Sequence, residues 1–122
     1  MPAPNAVTIY HNPACGTSRN TLALIRAAGF EPRIVEYLKH PPDRAMIDSW
    51  LERMGTGARG LLREKEKLAA ELGLTDSEIG EEELIGHLLA HPILINRPVV
   101  VTARGVRLCR PPERVHEILP QA

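Results

Sequence analysis

The stretch VTIYHNPACGTSRNTLALIRAAGFEPRIVEY, Val7 to Tyr37, decides the fold. Val7 to Tyr10 is β-branched and aromatic and reads as a strand. Thr17 to Ala28 reads as a helix, with Leu22, Ile25 and Ala28 sharing a face and Gly29 as its stop, and Arg33 to Tyr37 reads as a second strand. Parallel pairing of the two strands through that helix predicts a right-handed βαβ unit. Cys15 stands where the first strand gives way to the helix. N–H groups in a helix's first turn have no acceptor within the helix, and the macrodipole adds partial positive charge there. A thiol at that end ionises below its free pKa of about 8.5. The same donors suit an oxyanion, so one turn of chain offers a nucleophile and an anion cradle.

Around the cysteine, His11 to Leu22 reads HNPACGTSRNTL. Pro13 stiffens the approach and Gly16 lets the backbone come close to a bound group. Thr17 and Ser18 supply hydroxyls, and Arg19 supplies a fixed charge in the helix's first turns. His11, four residues before the cysteine, is placed to act on a thiolate through space or through a hydrogen bond. The competing reading makes Cys15 a small core residue beside an ordinary helix cap. Free core cysteines stand among apolar neighbours, not among Asn, Gly, Thr, Ser and Arg, which favours chemistry.

Further along, Asp43 caps a predicted helix that runs to about Met54. Its stripe of Met46, Ile47, Trp50, Leu51 and Met54 is core packing, and Gly55 ends it. A second helical stretch is expected from about Leu61 to Leu72, ending at Gly73. A third spans Glu81 to Ala90 and opens with three acids suited to its positive end. Pro98 to Thr102 and Val106 to Cys109 read as a hairpin around Arg104-Gly105, followed by a short helix from about Glu113 to Leu119. This order is α/β, with neither a flexible linker nor an internal repeat.

With 122 residues and 43% apolar content, the chain can bury one core, so a single domain is expected. Zero net charge and 3% aromatic residues give no electrostatic footprint or stacking platform for nucleic acid. There is no apolar run of membrane-spanning length, and MPAPNAVTIY carries neither a basic nor a long apolar signal region, so a cytoplasmic protein without membrane attachment is expected. Two cysteines 94 positions apart make no disulfide framework, which points to a reducing compartment. His40, His87, His91 and His116 lack ligand-like spacing, so no metal site is expected. Cys109, between Leu108 and Arg110, reads as a packed small residue rather than a second catalytic thiol.

Of 15 basic residues 12 are arginine, and Arg97 to Arg114 holds five of them against the single acid Glu113. That half of the chain can hold an anion. Glu64 to Glu83 carries eight of the 15 acids and reads as solvated helix surface.

Three blocks in order, HNPACGTSRNTL, then HPILINRPVVVT from His91 to Thr102, then RLCRP from Arg107 to Pro111, resemble the glutathione- and glutaredoxin-dependent arsenate reductases. The spacing around Gly60-Leu61-Leu62-Arg63 fits the same pattern, and the resemblance covers about Val7 to Leu119. It implies one thioredoxin-like α/β domain over residues 1–122, with a helical insertion at about 43–90 and a cis peptide before Pro98. It also implies that Cys15 is the nucleophile, that His11 tunes its thiolate and that Ser18 hydrogen-bonds the sulfur. Arg63, Arg97 and Arg110 would bind the oxyanion together with Asn12, Gly16 and Thr17; guanidinium forks suit a tetrahedral oxyanion. No bound cofactor is implied; arsenate, glutathione and glutaredoxin would be the partners. Cys15 would form an adduct with arsenate, glutathione would attack it, and glutaredoxin would resolve the mixed disulfide. Reducing arsenic from the five- to the three-valent state takes two electrons, so a second thiol is required.

A redox-sensing regulator of the same group is the rival reading, but such regulators carry a Cys-x-x-Cys pair and residue 18 is Ser. A low-molecular-weight tyrosine phosphatase would need Arg six residues after its cysteine, where this chain has Thr21. Longer members of the resembled family carry a further C-terminal tail beyond the position of Ala122, and any role of that tail would be missing or altered.

Overall fold

The computed structural model describes residues 5–120. The first residues of the stretch read for a targeting signal, and the C-terminal position Ala122, lie outside the described residues. The chain divides into two compact units. One comprises the described residues up to His40 together with those from Arg97 onward; the other is Pro41–Asn96.

In the first unit, β1 (Val7–His11), β2 (Arg33–Glu36), β3 (Val99–Thr102) and β4 (Gly105–Leu108) form one sheet in the order β2-β1-β3-β4. β1 and β2 are parallel, with Ile9 opposite Ile34 and His11 opposite Glu36. This is the pairing expected of strands joined through a helix, here α1 (Gly16–Ala27). β3 runs antiparallel to both β1 and β4, a four-strand α/β arrangement of the thioredoxin-like type.

Alternation along β1 buries Val7, Ile9 and His11 on one face. Ile25 of α1, Val100, Cys109, Val115 and Ile118 complete that core. The buried stripe of α1 is Ser18, Thr21 and Ile25, with Leu22 half-buried. Ala28, expected on that face, is exposed, and Gly29 at φ 95° ends the helix one residue beyond it. The stripe thus begins a turn earlier than apolarity alone suggests. Two polar residues extend it toward the end of β1, and this places a histidine and a serine side by side.

The second unit contains α2 (Arg44–Met54), α3 (Lys67–Glu71) and α4 (Glu81–Ala90). Asp43 caps α2 by accepting from Met46 N–H, and Gly55 closes it at φ 70°. Ile47, Trp50 and Leu51 are buried, whereas Met46 is exposed. The helix expected over Leu61 to Leu72 is corrected to the five residues of α3, preceded by a 3-10 turn at Ala58–Gly60. Leu62 instead bridges Ile95, with Arg63 N–H donating to Leu94 O at 2.8 Å and Asn96 N–H donating to Leu61 O at 2.7 Å. Long-range backbone pairing that buries Leu61 and Leu62 overrides a weak local helix preference.

Back in the first unit, the expected last helix is the 3-10 turn Pro112–Glu117. The Arg97–Pro98 bond is cis, and so is Arg110–Pro111. No helix among the described residues is long and apolar enough to cross a membrane.

Candidate active site

Cys15 is the N-cap residue of α1, with extended backbone (φ −95°, ψ 123°), and its carbonyl accepts from Arg19 N–H at 3.0 Å. The loop before it is tied at several points. Cys15 N–H donates to Asn12 O at 3.0 Å and Ala14 N–H to Asn12 Oδ1 at 3.0 Å. Arg19 Nη1 donates to the Pro13 carbonyl at 2.8 Å. Asn12 N–H reaches across to Ser18 Oγ at 3.1 Å.

His11 Nδ1 lies 2.6 Å from Ser18 Oγ, and both residues are buried. Burial holds the imidazole pKa below the ordinary histidine value; the charges of Arg19 and Arg26 act in the same direction, and Glu36 opposes them. A neutral ring with Nδ1 unprotonated accepts the Ser18 hydroxyl proton while Ser18 Oγ accepts the Asn12 N–H, satisfying all three groups. The Ser18 hydroxyl, expected on the sulfur, is therefore engaged with His11 and Asn12. Ser18 acts on Cys15 through its backbone N–H instead.

Two arginines from the segments flanking the β3–β4 hairpin complete the site. Arg110 Nη1 sits 3.8 Å from Cys15 Sγ and donates to the Arg97 carbonyl at 2.9 Å. Arg97 is 9% exposed. Burial pushes the Cys15 thiol up, but the Ser18 backbone N–H, the hydrogen bonds of Arg97 and Arg110 and the Arg97 charge outweigh it, and the pKa falls to about 7. A value this close to neutrality makes the thiolate accessible at neutral pH. The contrast with Cys109 is plain: it is fully buried in the core, and burial pushes its thiol up to about 12.

The structure thus brings together Cys15, His11, Ser18, Asn12, Arg97 and Arg110. Gly16 is exposed and Thr17 half-buried at the open start of α1; the Thr17 carbonyl accepts from Thr21 Oγ1 at 2.8 Å. Arg63 belongs to the other unit, on the loop after the Leu62–Ile95 bridge rather than on a helix, with its Nε 3.8 Å from Glu66. Nothing in the sequence reading anticipates that the Arg97 carbonyl orients Arg110. No group of three or more His, Cys, Asp or Glu side chains among the described residues is arranged to hold a metal ion.

A thiol ionised at a helix N-terminus, flanked by guanidinium groups on a thioredoxin-like sheet, defines a thiol-chemistry protein built to meet an anion. The ArsC family model matches residues 10–118. An arsenate reductase of Rhizobium meliloti is 60% identical over 114 residues, covering 93% of this chain and 81% of the relative. An arsenate reductase of Escherichia coli K12 is 54% identical over 116 residues, covering 95% and 82%. The solved arsenate reductase from Vibrio cholerae superposes with a TM-score of 0.89 at 40% identity, covering 96% of this chain and 100% of that one. The chain belongs to the ArsC family.

Proposed function

We propose that this protein reduces arsenate to arsenite, with Cys15 as nucleophile and glutathione and glutaredoxin as the source of electrons. The observation that carries the reading is the Cys15 sulfur at the start of α1 with Arg110 Nη1 3.8 Å away, a nucleophile and an anion-binding group in contact. The names of the relatives support the substrate.

The Cys15 thiolate attacks arsenic, forming an S–As bond as one arsenate oxygen leaves as water. Arg97 and Arg110 neutralise the oxyanion, and the first-turn amides at Gly16 and Thr17 donate to its oxygens. Arg63 carries its proposed part in binding by the resemblance alone. A glutathione thiolate then attacks the Cys15 sulfur; the S–As bond breaks, its electron pair stays on arsenic, and arsenite departs. The two thiols have supplied two electrons and are joined as a mixed disulfide, which glutaredoxin reduces. An external second thiol is required because Cys109 is buried and protonated. Both cysteines are free, which fits a cytoplasmic setting. We read residues 1–122 as one thioredoxin-like domain with an insertion at about 43–90.

Arsenate-dependent NADPH oxidation with glutathione, glutaredoxin and glutathione reductase tests this reading. Turnover that needs all three partners and arsenate is expected; turnover unchanged without glutathione would sink it.

A further inference from the structure

Asn12 is 6% exposed, and three hydrogen bonds tie it to its own loop and to α1. Its side-chain oxygen accepts from Ala14 N–H and its carbonyl from Cys15 N–H, so residues 12–15 form a turn tied twice by one residue. An Asx side chain that accepts two residues on in this way mimics a backbone turn. Its own N–H, bonded to Ser18 Oγ, fastens that turn to the first turn of α1 and to the His11–Ser18 pair.

We propose that Asn12 is a positioning residue that holds Cys15 Sγ over the first turn of α1. Oδ1 is committed to the Ala14 N–H, so the side chain fixes the turn whatever the two N–H donors of its Nδ2 meet. What Asn12 governs is where the cap residue sits. The field of a helix end falls off within its first turn, and the amide of Ser18 acts on the sulfur only at short range and good alignment. A loosened turn lets the sulfur swing away from both, while Arg97 and Arg110, carried by another part of the chain, keep their places.

This inference rests on Cys15 being the nucleophile, so the experiment reads the thiol with no arsenate present. The rate of iodoacetamide alkylation is followed against pH for the wild type, Asn12→Ala and Asn12→Ser, the serine hydroxyl being a weaker acceptor for the same N–H. The midpoint is expected to rise by about half to one pH unit in Asn12→Ala and by less in Asn12→Ser. Turnover at pH 6.5 should fall by roughly three- to tenfold with the arsenate KM within about twofold of wild type. If Asn12→Ala does not fold, Asn12→Ser carries the same comparison. Variants with an unmoved midpoint and a raised KM would overturn the proposal and make Asn12 a ligand. A wild-type midpoint in the ordinary thiol range would instead remove the nucleophile assignment, so the two failures are distinguishable.

Discussion

Cys15 and Cys109 are the same residue type with opposite fates, and their surroundings account for the difference. Cys15 caps a helix beside two guanidinium groups and titrates at about 7; Cys109 lies among Ile9, Val100 and Val115 and stays a thiol to about 12. Cys15→Ser should therefore abolish arsenate reduction, while Cys109→Ala should keep most of it at a stability cost of about 1–2 kcal/mol. Equal loss in the two assays would contradict the assignment. The pH dependence has a fixed sign, because the thiolate is the reactive form and its pKa is lowered. Activity should rise with pH through about 7. A limb centred near the free-thiol value of about 8.5 would show no activation. Arg97→Lys and Arg110→Lys keep the charge but lose the planar fork, so each should lower kcat/KM by about tenfold or more in steady-state assays. Near-wild-type kinetics in both would reduce these arginines to general electrostatics.

Elements with local punctuation are legible in the amino-acid sequence. Asp43 and Gly55 bracket α2, the acids at Glu81 open α4, and Gly29 follows α1. The segment from Leu61 to Arg63 is not legible, because its conformation is set by pairing with Leu94 to Asn96 some thirty residues later, which no local pattern encodes. The site divides the same way. Cys15 at a strand-to-helix junction is a local signal, whereas the positions of Arg97 and Arg110 depend on how β3 and β4 return to β1 and come only from the family pattern. That pattern also puts the Ser18 hydroxyl on the sulfur; its closeness to His11 across the strand–helix turn is a tertiary fact that residue spacing does not carry. An element-scale test concerns Thr102 at the end of β3. Its hydroxyl donates to Ile118 O at 2.6 Å and accepts from Arg104 N–H at 3.0 Å, tying the hairpin to the C-terminal turn. Thr102→Val strands a buried carbonyl and should cost about 1–3 kcal/mol in urea unfolding.

At the scale of the whole molecule, the chain pairs one partly exposed, acidified thiol with a buried one, and the proposed mechanism therefore draws its reductant from outside. The fold serves this economy. The sheet buries one cysteine as packing and delivers the other to a helix end, and the return of β3 and β4 brings arginines to it. Mass spectrometry of the protein trapped after a single turnover with arsenate and glutathione tests the proposed mechanism most directly. The account predicts a glutathione adduct on Cys15, removed by glutaredoxin, with Cys109 unmodified throughout. A disulfide between Cys15 and Cys109, formed at the turnover rate without glutathione, would contradict it.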